Sequence, residues 1–352
     1  MKAIFLTLLI LPALYASADK KPYIIKGTSD LKTGIAILDV YSKNADTVQI
    51  QDGKFQFTGS TDGPRYQSIR VLPGNPTRII LEPGEISVSY TKPGGYHIGG
   101  TPNNERLQFM DEQIKPYYDK VADLWKKYNA APDGEERARL FNECEKARAE
   151  QKAKGRELIM ADPNFSGFLM MLPTYRDETA GTVKMYLELF KAFKGEDGYD
   201  RLAEFYKGAS QTDFGVNAPD WNLPDEKGKM LQLSSLKGKY VLLDFWYSGC
   251  HWCRKMTPHL TKVYNDLKKK GLEIVSVSVD PVKDEDKWRK AMEEDAAPWL
   301  QVWDFEKKLP DEYGVLAYPT MFLLDKDGKV VEKIIGFREE PALREMFAKY
   351  IH

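Results

Sequence analysis

The chain has 352 residues, with 51 basic and 52 acidic side chains and a net charge of −1. Such a balance gives no long-range pull toward nucleic acid or an acidic bilayer, so no nucleic-acid partner is expected. The length exceeds a typical single core, which calls for two or three domains, and three cysteines are too few for a disulfide scaffold.

Met1-Lys2, an apolar run from Ala3 to Tyr15 and then Ala16-Ser17-Ala18 have the three parts of a signal peptide. The competing reading, a buried N-terminal helix, fits less well because charge returns at once with Asp19-Lys20-Lys21. The run is shorter than the roughly 20 residues a membrane span needs. No cysteine follows it to accept a lipid. Residues 1–18 are therefore expected to be a cleaved leader, leaving a soluble mature chain that begins near Asp19. Export would also permit a persistent disulfide.

Residues 19–103 are expected to form a small all-β domain, a sandwich or barrel. Tyr23–Gly27, Gly34–Tyr41, Lys54–Phe57 and Ile86–Tyr90 are short β-rich runs. Turn signals lie between them, among them Asp52-Gly53 and Pro83-Gly84. His97, flanked by glycines, reads as a turn residue rather than a ligand.

Residues 104–210 change to helical periodicity. Leu107, Met110, Ile114, Tyr118, Val121 and Leu124 recur three or four apart on one face. A second helix is predicted from Glu135 to Met160, with Leu140, Cys144 and Ala147 near one stripe. A third is predicted to start in Phe165–Leu172, and a helical pair to follow over Glu188–Tyr206. The Met and aromatic content has the spacing of ordinary core. Cys144 is expected to be a half-buried small residue, the alternative being an intermolecular linkage site.

In residues 211–352 strands and helices alternate, predicting a mixed α/β domain. Strands are expected at Val241–Trp246, Glu273–Val279, Thr320–Leu324 and Val330–Ile335. Helices are expected at Trp252–Lys270, Asp284–Glu294 and from Glu340-Pro341 through Tyr350.

Between the first of these strands and its helix stands Cys250-His251-Trp252-Cys253. Two thiols three apart at a helix start are near neighbours and can close a disulfide with little backbone movement. The first sits where unpaired N–H groups and the helix dipole favour a thiolate. Thiol redox chemistry is the leading reading; half of a zinc site and an inert structural disulfide are the alternatives. Cys250, at the helix start with its sulfur expected to face solvent, would be the nucleophile. Cys253, one turn in and more buried, would resolve the mixed disulfide. No cofactor and no metal are expected.

The stretch Asp244-Phe245-Trp246-Tyr247-Ser248-Gly249-Cys250-His251-Trp252-Cys253-Arg254-Lys255 resembles the thioredoxin active-site segment. Pro258, Tyr318-Pro319-Thr320 and Gly336 agree with it, as the helix-bending proline, the loop proline facing the dithiol and the glycine after the last hairpin. Ala218–Trp221, Leu233–Lys239 and the insertion carrying Trp288 and Trp299 resemble the exported TlpA/ResA-like branch. The N-terminal part, ending in Gly99-Gly100-Thr101-Pro102-Asn103, more loosely resembles the small β domain of Bacteroidetes-like exported proteins.

This resemblance implies a thioredoxin-like fold and a periplasmic protein-disulfide reductase. Its partners would be exported protein thiols or disulfides and a membrane-bound thiol donor. It also implies a cis bond before Pro319 and a buried acid at Asp244 that exchanges a proton with Cys253; a solvent-facing strand end is the other reading of Asp244. Trp246, like Tyr247, either packs the site or touches substrate, and Tyr318 shapes it. His251-Trp252 departs from the family's common Gly-Pro. An imidazolium at His251 would favour the Cys250 thiolate and make the couple more oxidising, and Trp252 would add apolar surface that selects the partner. A thiol oxidase or isomerase with the same site, and a non-enzymatic envelope adaptor, remain the competing functions. His259 reads as a helix-surface residue.

Overall fold

The computed structural model describes residues 20–39, 45–91, 95–132, 134–163, 178–195 and 197–352. The leader at 1–18 and the helix start expected in Phe165–Leu172 lie outside the described residues, as do Val40 and Tyr41 of an expected strand. The chain divides into two compact units, one running to Pro116 and the other beginning at Tyr117.

The first unit holds eight strands: β1 (Lys21–Ser29), β2 (Thr33–Leu38), β3 (Asp46–Gln51), β4 (Lys54–Thr61), β5 (Arg65–Val71), β6 (Thr77–Leu81), β7 (Gly84–Thr91) and β8 (Gly95–Gly99). They make one hydrogen-bonded sheet in the order β6-β5-β2-β3-β4-β1-β7-β8, where a sandwich or barrel was expected. Among the described residues of this sheet only β1 and β7 pair in parallel. The β3–β4 hairpin turns on Asp52-Gly53, both at positive φ, as a two-residue turn between twisted strands requires. His97 lies on β8 opposite Ser89, exposed on a strand rather than in a turn. Flanking glycines masked that short end strand in the sequence.

Helix α1 (Pro102–Ala130) opens by satisfying both ends of this sheet. Asn104 accepts from Ile80 N (2.9 Å) and donates to Ile80 O (2.7 Å) on β6. Gln108 accepts from Ile98 N (2.9 Å) on β8. Side-chain amides thus occupy edge groups that would otherwise invite another strand. Glu82 accepts from Asn103 N (2.8 Å), placing a carboxylate at the positive end of the helix.

In the second unit, α1 continues from Tyr117 and is followed by α2 (Glu135–Ala161), α3 (Ala180–Leu189) and α4 (Asp197–Gln211). The stripe expected on α1 holds for Leu107, Met110 and Ile114, but Tyr118 is 47% exposed and Tyr128 is the buried residue instead. Cys144 is fully buried beside Tyr128, Leu140 and Phe141, deeper than expected, and burial pushes its thiol pKa up.

The rest of the unit comprises β9 (Asn222–Pro224), β10 (Met230–Gln232), β11 (Tyr240–Trp246), α5 (His251–Leu267), β12 (Leu272–Ser278), α6 (Glu285–Asp295), β13 (Leu300–Trp303), α7 (Leu309–Glu312), β14 (Thr320–Leu324), β15 (Val330–Ile335) and α8 (Glu340–Phe347). The main sheet runs β13-β12-β11-β14-β15, with β11, β12 and β13 parallel and β14 and β15 antiparallel. This is the thioredoxin-like α/β fold, preceded by a β-sheet domain and a helical segment.

Both faces of the sheet are covered, which explains the near-continuous apolar run of β11. Val241, Leu243 and Phe245 point to one core with Val275 and Val277. Leu242 and Ile274 point to the other, against Met256, Leu260, Leu343 and Phe347 of α5 and α8. Each fully buried aliphatic or aromatic side chain there contributes about 1.5–3 kcal/mol. On that α5 side the alternation next brings in Asp244 and Ser276, polar residues paired across β11 and β12.

Candidate active site at the start of helix α5

Strand β11 ends at Trp246, and the chain turns through Tyr247, Ser248 and Gly249 before α5 begins. Asp280, just past β12, clamps this loop. Its carboxylate accepts from Ser248 N (2.8 Å), Ser248 Oγ (2.7 Å) and Ser278 Oγ (2.9 Å). Charge-assisted bonds of this kind are among the stronger ones, so the approach to Cys250 is held by a buried anion.

Cys250 is the N-cap of α5, and its Sγ accepts from Cys253 N at 3.2 Å. The two cysteines form a disulfide with Cα atoms 5.3 Å apart. An N–H donor aimed at Sγ and the positive helix end both favour negative charge on that sulfur.

Solvent exposure does not separate the two thiols. Cys250 is 5% exposed and Cys253 6%, whereas Cys250 was expected to face solvent. The reason is an aromatic collar: both cysteines cluster with Trp246 and Trp288, and Met292, Trp303 and Tyr318 pack against them. Trp246 is thus a packing residue. The bond between Tyr318 and Pro319 is cis. Pro319 O accepts from Gly336 N (2.8 Å), and the Tyr318 ring meets Tyr247 edge-on at 5.5 Å.

Asp244 is buried, not a solvent-facing strand end. Its Oδ2 accepts from Ser276 Oγ (2.8 Å), while Oδ1 has no partner among the described residues. Burial pushes its pKa up to about 6, partly offset by the Ser276 hydrogen bond. Asp244 and Cys253 line one small cavity, together with Ser276, Trp299 and Gln301.

His251 and Trp252 lie outside the collar. His251 is exposed and lines an open groove with Ser248, Arg254 and Asp295. Its ring meets Trp252 edge-on at 5.3 Å. Trp252 is 39% exposed, packs on Phe337 (5.6 Å) and lies beneath the Lys255 ammonium (5.0 Å). Arg254 is held by Asp295 (2.7 Å) and Glu294 (2.8 Å). His259 is half-buried: its Nδ1 accepts from Glu340 N (3.3 Å) at the start of α8, and burial lowers its pKa.

Sequence reasoning missed Asp280 and Ser276. The signal for Ser276 was present: Ser276 and Ser278 alternate with valines on a strand whose neighbour carries Asp244 on the same face. Among the described residues no group of three His, Cys, Asp or Glu side chains is placed to hold a metal ion. What the arrangement does chemically is break and form a disulfide beside a buried acid.

Residues 214–333 match the AhpC/TSA family, and residues 23–107 match a domain of unknown function, DUF4369. The chain is similar to the thiol-disulfide oxidoreductase ResA of Bacillus anthracis, 33% identical over 155 residues, which cover 44% of this chain and 88% of that protein. Similarity to ResA of Bacillus subtilis (strain 168) is 33% over 148 residues, covering 42% and 82%. A thiol:disulfide interchange protein from Bacteroides sp., solved in solution, is 40% identical and covers 40% of this chain and 91% of its own, with a TM-score of 0.36. With 33% identity over an alignment that spans 88% of ResA, and a CxxC disulfide at the start of α5, the chain belongs to the ResA-like family of thioredoxin-fold thiol-disulfide oxidoreductases.

Proposed function

We propose that this protein reduces disulfides of exported proteins in the periplasm and is itself re-reduced by a membrane-bound thiol donor. The observation that carries the reading is the N–H of Cys253 donating to Cys250 Sγ at 3.2 Å. It makes Cys250 the sulfur on which negative charge is best tolerated. In this mechanism the Cys250 thiolate attacks a substrate disulfide and forms a mixed disulfide. Asp244 takes the proton of Cys253, whose thiolate then attacks Cys250 Sγ and releases the second substrate sulfur as a thiolate. Tyr318, Pro319 and Trp252 form the rim that meets the substrate.

Export rests on the basic start, apolar run and Ala16-Ser17-Ala18 of the N-terminus. The loose resemblance of the N-terminal part, where residues 23–107 match DUF4369, to the small β domain of Bacteroidetes-like exported proteins supports a Bacteroidetes-type envelope protein. The test is trapping in the native envelope: Cys253→Ala should accumulate mixed disulfides and Cys250→Ala should not. Equal accumulation with both variants would overturn the assignment.

A second reading, a thiol oxidase or isomerase with the same site, is favoured by His251, whose imidazolium would stabilise the reduced form. A reduction potential near that of thioredoxin, about −270 mV, supports the reductase, and one approaching about −120 mV supports the oxidant.

A further inference from the structure

We propose that Trp299 and Ser276 are positioning residues that direct the exchangeable proton of Asp244 to Oδ1, the oxygen without a partner among the described residues. The inference deepens the proton-acceptor reading of Asp244 given above and rests on it for its kinetic consequence, though not for its geometry.

The indole N–H of Trp299 donates to Ser276 Oγ at 2.9 Å, and Ser276 Oγ lies 2.8 Å from Asp244 Oδ2. An indole nitrogen only donates, so Ser276 Oγ is the acceptor in the first bond. A serine hydroxyl has one hydrogen, and Ser276 is buried with Asp244 as its remaining partner. That hydrogen therefore points at Oδ2. Were the Asp244 proton on Oδ2 instead, two hydrogens would compete for one contact and the serine hydrogen would lose its acceptor in a buried site. An unsatisfied buried donor is the arrangement proteins avoid.

Oδ1 is thus the oxygen left to titrate. Asp244 lines the cavity shared with Cys253 and Gln301, and the side-chain oxygen of Gln301 is likewise unpartnered among the described residues. Other groups facing Asp244 leave this logic intact. Cys253 is the titrating group on α5. The carboxylate of Asp295 on α6 is engaged by Arg254. Met321, opposite Asp244 on β14, is neutral.

The proton step balances. Cys253 S–H gives its proton to Oδ1, and the resulting thiolate forms the Cys250–Cys253 bond as the Cys250–substrate bond breaks. The electron pair leaves on the substrate sulfur, which is protonated from solvent.

Infrared difference spectra of the full chain, titrated through the Asp244 transition, test the geometry. A carboxylic C=O band absent in Asp244→Asn identifies the group. In Ser276→Ala this band should move to higher wavenumber, because the carbonyl oxygen loses its donor. Trp299→Phe should move it less, in the same direction, and Ser276→Thr should leave it in place. An unmoved band in Ser276→Ala overturns the proposal; should that variant not fold, an unmoved band in Trp299→Phe does so.

The kinetic arm follows mixed-disulfide resolution against pH. Ser276→Ala should raise the acid limb by about one pH unit, an about tenfold slower rate on that limb, with the alkaline plateau unchanged. A slowing equal at every pH would mean a merely structural role and also overturns it. If Asp244→Asn leaves the rate unaltered, the acceptor reading fails while the infrared band still decides the hydrogen-bond direction.

Discussion

The ring of Trp125, on α1, lies 6.5 Å from the ring of Trp252, the residue before Cys253, with the planes tilted by 55°. The helical segment after Tyr117 therefore touches the CxxC dipeptide itself. Neighbouring contacts hold it there: the Tyr128 hydroxyl donates to Glu339, the N-cap of α8, and Arg338 pairs with Glu145 at 3.0 Å. Arg148 stacks over Trp125 (4.7 Å) and Arg338 over Phe141 (5.8 Å), so the contact is built from rings and planar cations.

A double-mutant cycle on Trp125→Ala and Trp252→Ala should return a coupling of about 0.5–1.5 kcal/mol, the range for aromatic pairs beyond area burial. Denaturant unfolding of the four proteins measures it. Strict additivity would mean that the helices and the dithiol helix are energetically independent at this point.

Asp280→Ala removes the acceptor of three hydrogen bonds and strands Ser248 N–H in a part-buried loop. The expected cost is about 2–4 kcal/mol, with faster alkylation of reduced Cys250 as its loop loosens. Unchanged stability and alkylation would show that the loop is held by packing alone.

Much of this was legible in the residues. The CxxC and its preceding apolar strand carry local signals whose chemistry does not depend on distant packing, whereas the cis bond before Pro319 was expected only from the family resemblance. Asp244 stood out because a carboxylate on a strand buried on both faces breaks an otherwise apolar run. Trp125 could not be read this way, since its spacing is that of ordinary helix core and only the tertiary contact brings it to Trp252. The exposure expected for Cys250 failed for a similar reason. A helix start is open to solvent in isolation, but the collar of Trp246, Trp288 and Tyr318 comes from three separate parts of the chain. Strand β8 and its His97 were hidden by glycines, which weaken local strand preference while the pairing with β7 imposes it.

His251→Gly should make the couple less oxidising. A positive charge on the residue after Cys250 would stabilise the thiolate of the reduced form, and glycine removes it. A shift of about 30 mV corresponds to roughly 1.4 kcal/mol for two electrons, a reasonable size for one nearby charge in an exposed setting. Potentials of both proteins from glutathione equilibration decide the matter, and identical values would remove His251 from the redox argument.

Asp244→Asn should stabilise the oxidised protein at neutral pH. Burial raises the folded-state pKa from 3.8 to about 6, so between these values the folded protein holds a proton that the unfolded chain has released. Stability therefore falls as pH rises across that window and stays low above it, by about 3 kcal/mol for a two-unit shift. Asparagine carries no charge, and its side-chain oxygen can still accept from Ser276 Oγ. Unfolding of wild type and variant should coincide near pH 4 and differ by up to about 3 kcal/mol, in favour of the variant, above pH 7. A difference independent of pH would mean that the carboxylate is not desolvated in solution. The predicted divergence gives the acid a cost to folding, and slower mixed-disulfide resolution in this more stable variant would show the chemistry that offsets it.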